Sequence, residues 1–513
     1  GDVREELPVL FLRLRAAALG GRTSILELSP RETSLTRHAA VSLRYRPGEA
    51  AGLVGALTEG PDPADPELAE ARRLLGAEDV VVVAGRPSLA EDGTLVADAL
   101  CRLARALPGA RFLCGLRRGN VRGALEMGLA PGLLPGRVAL EDGRGWFSEA
   151  WGRVPERRGL DTAGMLASVA GEPGGDDGEV DRAGEVRALV LLGAEPLSDF
   201  PDRRLARRAL EAARFVVAVT SQPAEECELA DVVLPAAEAH ERRGTTTNVE
   251  GRISRLGHRV AAPGQAWPDW MIAIELAAHL GADLGFDSLP DVWDEIERLA
   301  PSHRGITGAL LDDPVAADGV VVPLAGGSDT AGRQLPSPID PIAIPGVESV
   351  ERQGAPLRAG LAELPEALEE PSVAAGAPGD PSGGPAGAAR DLRPPTIEGP
   401  PEVVVPDLPA TGGGMRLVAW RTLYDHGTAV AASPALAALV RPATLHVHPS
   451  DLDELGVEPG GQVRVRPARG GMGAAGGADQ ASGALVATTA DPSLPRGVVA
   501  AEFNVPFGEA VTA

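Results

Sequence analysis

One stretch, residues 215–252 (FVVAVTSQPAEECELADVVLPAAEAHERRGTTTNVEGR), limits most what this chain can become. It opens on an apolar, β-branched run at 215–219, of strand length and composition. A polar turn-and-helix segment at 221–229 leads to a second apolar run at 232–234. That run stops at Pro235, which has no N–H to extend a ladder or helix. Together these read as a β-α-β edge. The following Gly244-Thr245-Thr246-Thr247-Asn248 and Glu250-Gly251-Arg252 read as a glycine- and hydroxyl-rich loop that approaches something closely.

The same alternation runs upstream. Residues 7–19 predict an amphipathic helix and 23–28 a strand after the Gly20-Gly21 stop. Four valines within 79–85 predict a strand buried on both faces, followed by a helix at 90–107 and a strand at 111–114. Residues 186–193 predict a strand, 202–213 a helix, and 267–284 a long amphipathic helix with Trp270, Ile274 and Ala277 on one face. Strands alternating with helices call for parallel sheets with crossover helices. A glycine turn at the carboxyl end of such a strand, as at Gly193, is where open α/β sheets usually bind ligands.

ADVVLP followed by E-x-x-G-T-x-x-N-x-E-G-R resembles the signature of the molybdopterin oxidoreductase superfamily. Further segments resemble the family in the same order. They are Pro30-Arg31, Arg46-Pro47-Gly48, the series Asn120, Gly123, Gly128, Pro135-Gly136, and Gly193-Ala194-Glu195-Pro196. The resemblance implies nucleotide-type α/β domains, and it implies that the 244–252 loop lines a cleft for a pterin–guanine dinucleotide. Gly193, Thr245, Thr247, Asn248 and Arg252 are then vestigial candidates for that cleft, while the self-bonded alternative pairs the loop with Glu241 and Glu250.

The net charge of −24 excludes a nucleic-acid binder with a concentrated basic face; all 48 basic residues are arginine. Cys101, Cys114 and Cys227 lie far apart, in no cluster that ligates iron–sulfur or zinc, and read as buried reduced thiols. His38 and His240 are isolated. His446 and His448, placed i, i+2 on one strand face, do not make a metal site by themselves. No apolar run has membrane-spanning length, so no membrane insertion is expected. The start at Gly1, on the edge of a helix, reads as an internal fragment of a longer protein.

The expected organisation is an α/β region at 1–325, with lobes 1–60 plus 185–325 and 61–184. An acidic, Gly-rich insertion falls at 171–184 and a Pro/Gly/acidic linker at 326–414. Residues 415–513 carry short β-prone runs between turns and predict a small β-barrel. In it L-Y-D-H-G-T (423–428) and H-P-S-D-L-D-E-L-G-V-E-P-G-G-Q-V-R-V (448–465) resemble the superfamily's dinucleotide-binding barrel, with a short helix capped at Ser450. The G-x-G-x-x-G at Gly471, Gly473 and Gly476 lacks a following helix and is read as accidental.

Glu5–Arg15 (EELPVLFLRLR) and Leu191–Pro196, with Asp199, Pro201 and Asp202, resemble the branch found in the G subunit of respiratory complex I. That branch implies a scaffold with no catalytic or metal residues and no cofactor of its own. It implies iron–sulfur clusters in domains upstream, the other peripheral-arm subunits of complex I as partners, and a cytoplasmic place against the inner face of the membrane. The alternative is the carboxyl portion of a molybdenum or tungsten enzyme, formate dehydrogenase-like, holding molybdopterin guanine dinucleotide through Gly193, Asn248 and Arg252. A third reading keeps the fold to hold an unrelated nucleotide.

Overall fold

The computed structural model describes residues 2–322, 414–466 and 484–504, apart from 62, 92, 117, 118 and 172–183. Residues 326–413 of the expected linker, most of the acidic insertion and the glycine triplet at 471–476 lie outside the described residues.

The parallel α/β pattern is present. β1 (Leu26–Leu28) pairs parallel with β2 (Val41–Leu43), and β3 (Val81–Ala84) parallel with β4 (Arg111–Cys114). β5 (Leu133–Leu134) and β6 (Val138–Ala139) make a small antiparallel pair. The central sheet is β7 (Ala188–Leu192), β8 (Phe215–Thr220) and β9 (Val232–Pro235), all parallel and in that order. Leu189 and Leu191 of β7 bury against the helices Thr162–Ala170 and Arg203–Ala212. On the latter helix Ala206, Ala209 and Leu210 recur at helical spacing, and the two fully buried alanines let it lie close to the sheet. Asp202 caps that helix by accepting from the Leu205 amide at 2.9 Å.

The other face of this sheet departs from expectation. Ile272, on the helix Asp269–His279, packs on Val219 with Val217 and Leu234 beside it. This helix is shorter than the 267–284 span predicted, and Ile272 is its one buried residue. It covers β8 and β9 and leaves Val190 and Leu192 of β7 56% and 67% exposed. β3, which among the described residues pairs with β4 alone, likewise has a solvent-facing residue, Val81. Its valines are not buried on both faces. The first long helix, Pro8–Leu19, buries Phe11 but exposes Val9 and Leu12, so it has no clean apolar stripe. Cys114 is exposed, against the expectation of a buried thiol.

Residues 244–256 are not a loop. β10 (Gly244–Thr247) and β11 (Arg252–Leu256) form an antiparallel hairpin, extended by β12 (Val320–Val321). Ile253 of β11 anchors it in a core with Trp293, Ile306, Leu311 and Val322.

The C-terminal strands also correct the sequence reading. β13 (Arg416–Trp420), β14 (Thr444–Val447), β15 (Gln462–Val465), β16 (Ala484–Ala490) and β17 (Val498–Glu502) form one mixed sheet in the order β13-β17-β14-β16-β15. Among the described residues it is open, with β13 and β15 at its edges. A closed barrel needs those edges to pair, and they do not. His448 ends the strand run and caps the helix Pro449–Leu455, its Nδ1 accepting from the Ser450 amide at 3.1 Å. The cap is therefore His448 rather than Ser450, and His446 and His448 do not share a strand face.

Candidate functional site

The hairpin β10–β11 is strapped to the short helix Val121–Glu126. The Asn120 Oδ1 accepts from the Thr247 amide at 2.8 Å, and Thr247 is buried. A Cβ added at Gly123 would sit 3.1 Å from Thr247 Oγ1 and 3.0 Å from Asn120 Cγ, so glycine permits this approach. The turn closes on itself: the Asn248 Oδ1 accepts from the amides of Glu250 at 2.9 Å and Arg252 at 3.0 Å. Arg252 donates from Nη1 to the Gly319 carbonyl at 3.1 Å, and its Nε lies 3.7 Å from Glu250. Arg122 reaches beneath the turn, donating to the Val249 carbonyl at 3.3 Å.

Thr245, Thr247, Asn248 and Arg252 thus share one hairpin, with Thr245 opposite Arg255 and Thr247 opposite Ile253. Gly193 stands elsewhere, just past β7, at φ +58° with its amide donating to the Val219 carbonyl at 2.8 Å. Asn248 Oδ1 and Arg252 Nη1 are spent on their own chain.

A cleft of about 400 Å³ opens where Gly193 leads out of the sheet. Its lining includes Ser198, Arg203, Glu225, Glu226, Thr428 and Asn504, so both the α/β region and the C-terminal segment contribute. Glu226 is 3% exposed, and its Oε1 accepts from the Leu197 amide at 2.7 Å. Burial, with Glu195 and Glu225 adding repulsion, pushes its carboxyl above the ordinary range against the opposing pull of the amide bonds. Glu195 accepts from the Ser198 hydroxyl at 3.2 Å and from the Thr428 hydroxyl. Arg203 and Arg207 both pair with Glu225, and Arg421 pairs with Asp199 at 2.7 Å.

A dinucleotide brings a diphosphate, which is held by amide donors and unspent cations. Here the Leu197 amide already serves Glu226, the Arg203 guanidinium already serves Glu225, and three carboxylates surround them. Glu195, Glu225 and Glu226 stand at or beside this cleft, and their charge opposes a diphosphate.

A buried cluster under the hairpin went unseen in the sequence. Glu126 is fully buried, 3.0 Å from Arg122 Nε and 3.9 Å from His303 Nε2. Burial pushes the His303 imidazole below its ordinary pKa, with Arg137 adding to the shift and Glu126 opposing it. Sequence reasoning gave no role to Glu226 or to this cluster, which carried no local signal, nor to Glu195 and Thr428, although the Gly193-Ala194-Glu195-Pro196 turn and the L-Y-D-H-G-T segment contain them.

Residues 166–279, which hold β7–β11 and the hairpin, match the family model for molybdopterin oxidoreductase. The chain carries a molybdopterin oxidoreductase domain. Relatives of this domain include the G subunit of NADH-quinone oxidoreductase from Streptomyces coelicolor, 33% identical over 65% of this chain and 38% of that protein. The alpha subunit of NADPH-Fe(3+) oxidoreductase from Geobacter sulfurreducens is 28% identical over 60% of this chain and 40% of its own length. The alpha subunit of F420-dependent formate dehydrogenase from Methanocaldococcus jannaschii is 34% identical over 37% of this chain and 26% of its own. The chain therefore spans at most about two-fifths of the length of these relatives. Among the described residues no helix is long and apolar enough to cross a membrane.

Proposed function

We propose that this chain is a scaffold: the C-terminal molybdopterin-type portion of the G subunit of an NADH-quinone oxidoreductase. It supports electron transfer from NADH to quinone without a redox centre of its own. The observation that carries the reading is the charge of the cleft beyond β7. The chain's own Glu226 takes the Leu197 amide, and Glu225 takes Arg203, where an anionic cofactor would need both. The bonds that Asn248 Oδ1 and Arg252 Nη1 make within the chain and the 33% identity to the Streptomyces coelicolor protein support it. In this reading iron–sulfur clusters belong to other domains of a longer polypeptide, and the partners are the other peripheral-arm subunits of complex I. The protein works in the cytoplasm against the inner face of the membrane. The division into 1–325 (lobes 1–60 with 185–325, and 61–184), 326–414 and 415–513 is part of the same proposal.

The second reading, the carboxyl portion of a molybdenum or tungsten bis(molybdopterin guanine dinucleotide) enzyme, is favoured by the 34% identity to a formate dehydrogenase alpha subunit. Elemental and pterin analysis of the full-length protein from its native host decides between them. The scaffold reading expects iron but neither molybdenum, tungsten nor pterin. Stoichiometric molybdenum or tungsten overturns it and selects the enzyme.

A further inference from the structure

We propose that Glu195 and Asp199, meeting Thr428 and Arg421, form a clasp that holds the C-terminal sheet closed over the carboxyl end of β7 and β8. The inference goes beyond the scaffold reading and is tested separately from it.

The C-terminal segment meets the α/β region along β13 and again across the cleft; between these places the Leu423 amide donates to Glu5 at 3.2 Å and Arg31 lies over the Trp420 ring at 4.2 Å. Along β13 one bond runs main chain to main chain and the others pair a main-chain atom with a side chain. The Leu89 amide donates to the Ala419 carbonyl at 2.8 Å, and the Ala419 amide donates to Ser88 Oγ at 3.0 Å, with Ser88 1% exposed. Arg416 adds a bond to the Pro47 carbonyl at 2.5 Å. The buried Ser88 hydroxyl also donates to the Leu417 carbonyl at 3.4 Å, so several bonds converge on β13 without using the clasp residues.

The second place, across the cleft, is held by side chains. The Arg421 guanidinium donates to Asp199 Oδ1 at 2.7 Å and to the Asp199 carbonyl at 3.3 Å, and lies over the Phe503 ring at 4.6 Å. It also lies 3.8 Å from Asp425, whose Oδ2 is buried without a hydrogen-bond partner. Arg421 thus compensates two carboxylates with a side chain that is 9% exposed, and desolvated pairs of this kind are costly to break. Seven positions further on, the Thr428 hydroxyl donates to Glu195, which the Ser198 hydroxyl holds in place. Glu195 and Asp199 flank the turn and short helix that follow Gly193, so both contacts fasten the same two segments. With β13, the Leu423–Glu5 bond and the His426–Asn504 bond in place, releasing the clasp loosens residues 427–437 and widens the cleft.

The test is backbone hydrogen exchange on the full chain, comparing wild type with Thr428→Val, Arg421→Lys and the double variant Arg421→Met/Thr428→Val. The double variant is expected to raise exchange in residues 427–437 by about tenfold or more, with β7 and β8 unchanged, because local opening is separable from global unfolding. Arg421→Lys, which keeps the charge without the fork, is expected to fall between wild type and the double variant. Should the double variant not fold, Thr428→Val alone is read the same way. Unchanged exchange at 427–437, or an equal rise at 427–437 and in β7–β8, overturns the clasp. Neither result depends on the metal content of the protein.

Discussion

The carboxamide oxygen of Asn120 accepts the backbone N–H of Thr247 at 2.8 Å, joining two segments 127 residues apart. Both segments carry family-like glycines, and this bond accounts for one of them: Gly123 has no side chain because Thr247 and Asn120 occupy its space. Asn120→Ala leaves the amide of a buried residue without its acceptor. The expected loss is about 1–3 kcal/mol in urea unfolding. Asn120→Asp keeps an acceptor oxygen and is expected to cost less; equal losses for the two would show that the bond does not carry the contact.

Gly251 closes the hairpin at φ +82°, and a Cβ there would lie 2.5 Å from Arg122 Nη2. Gly251→Ala is therefore expected to destabilise by about 1–2 kcal/mol from the backbone conformation alone. The same substitution at Gly109, which has open space and no positive φ, serves as the comparison in thermal unfolding and should be near neutral or mildly stabilising.

His303 sets a pH dependence with a definite sign. Burial lowers its pKa in the folded state, so between the unfolded value near 6.5 and that lower value the unfolded chain binds the extra proton. Its contribution is fully present above about pH 6.5 and is lost as pH falls through the folded value, at up to about 1.4 kcal/mol per pH unit. Denaturant titrations from pH 7.5 to 5 check this: His303→Phe should flatten the slope in that window, and an unchanged slope would refute the assignment.

Leu210 is 2% exposed and joins the helix Arg203–Ala212 to β7 and β8. Leu210→Ala is expected to cost about 2–5 kcal/mol, the range for a buried leucine whose cavity collapses only in part. Because the cleft is built on this sheet, faster exchange should also spread to residues 195–199.

Much of the fold was legible because its signals are local. The apolar runs at 111–114, 188–192 and 215–220 became parallel strands, and Pro235 stands at the end of β9. Other elements were not legible. Gly244-Thr245-Thr246-Thr247 has the composition of a loop, yet it is a strand, because β11 pairs with it and Ile253 is drawn into a core by Trp293. The long amphipathic helix expected at 267–284, with Trp270, Ile274 and Ala277 on one face, is the shorter Asp269–His279 and buries Ile272 instead. The predicted barrel opened into a sheet because register between strands depends on contacts that no single strand encodes.

By itself the sequence determined the alternation of strands and helices up to Pro235, the parallel α/β class and the family of residues 166–279, since periodicity, turn chemistry and motif spacing are properties of neighbouring residues. The tertiary structure alone decided what the motif residues do. It bonded Asn248 to its own turn and Arg252 to the Gly319 carbonyl, set Glu226 on the Leu197 amide, and brought Thr428 to Glu195 across 233 positions. Partners so far apart leave no mark in a local pattern. They are chosen by which surfaces the packed helices and sheets bring together, and so the charge of the cleft could be read only after the chain had folded.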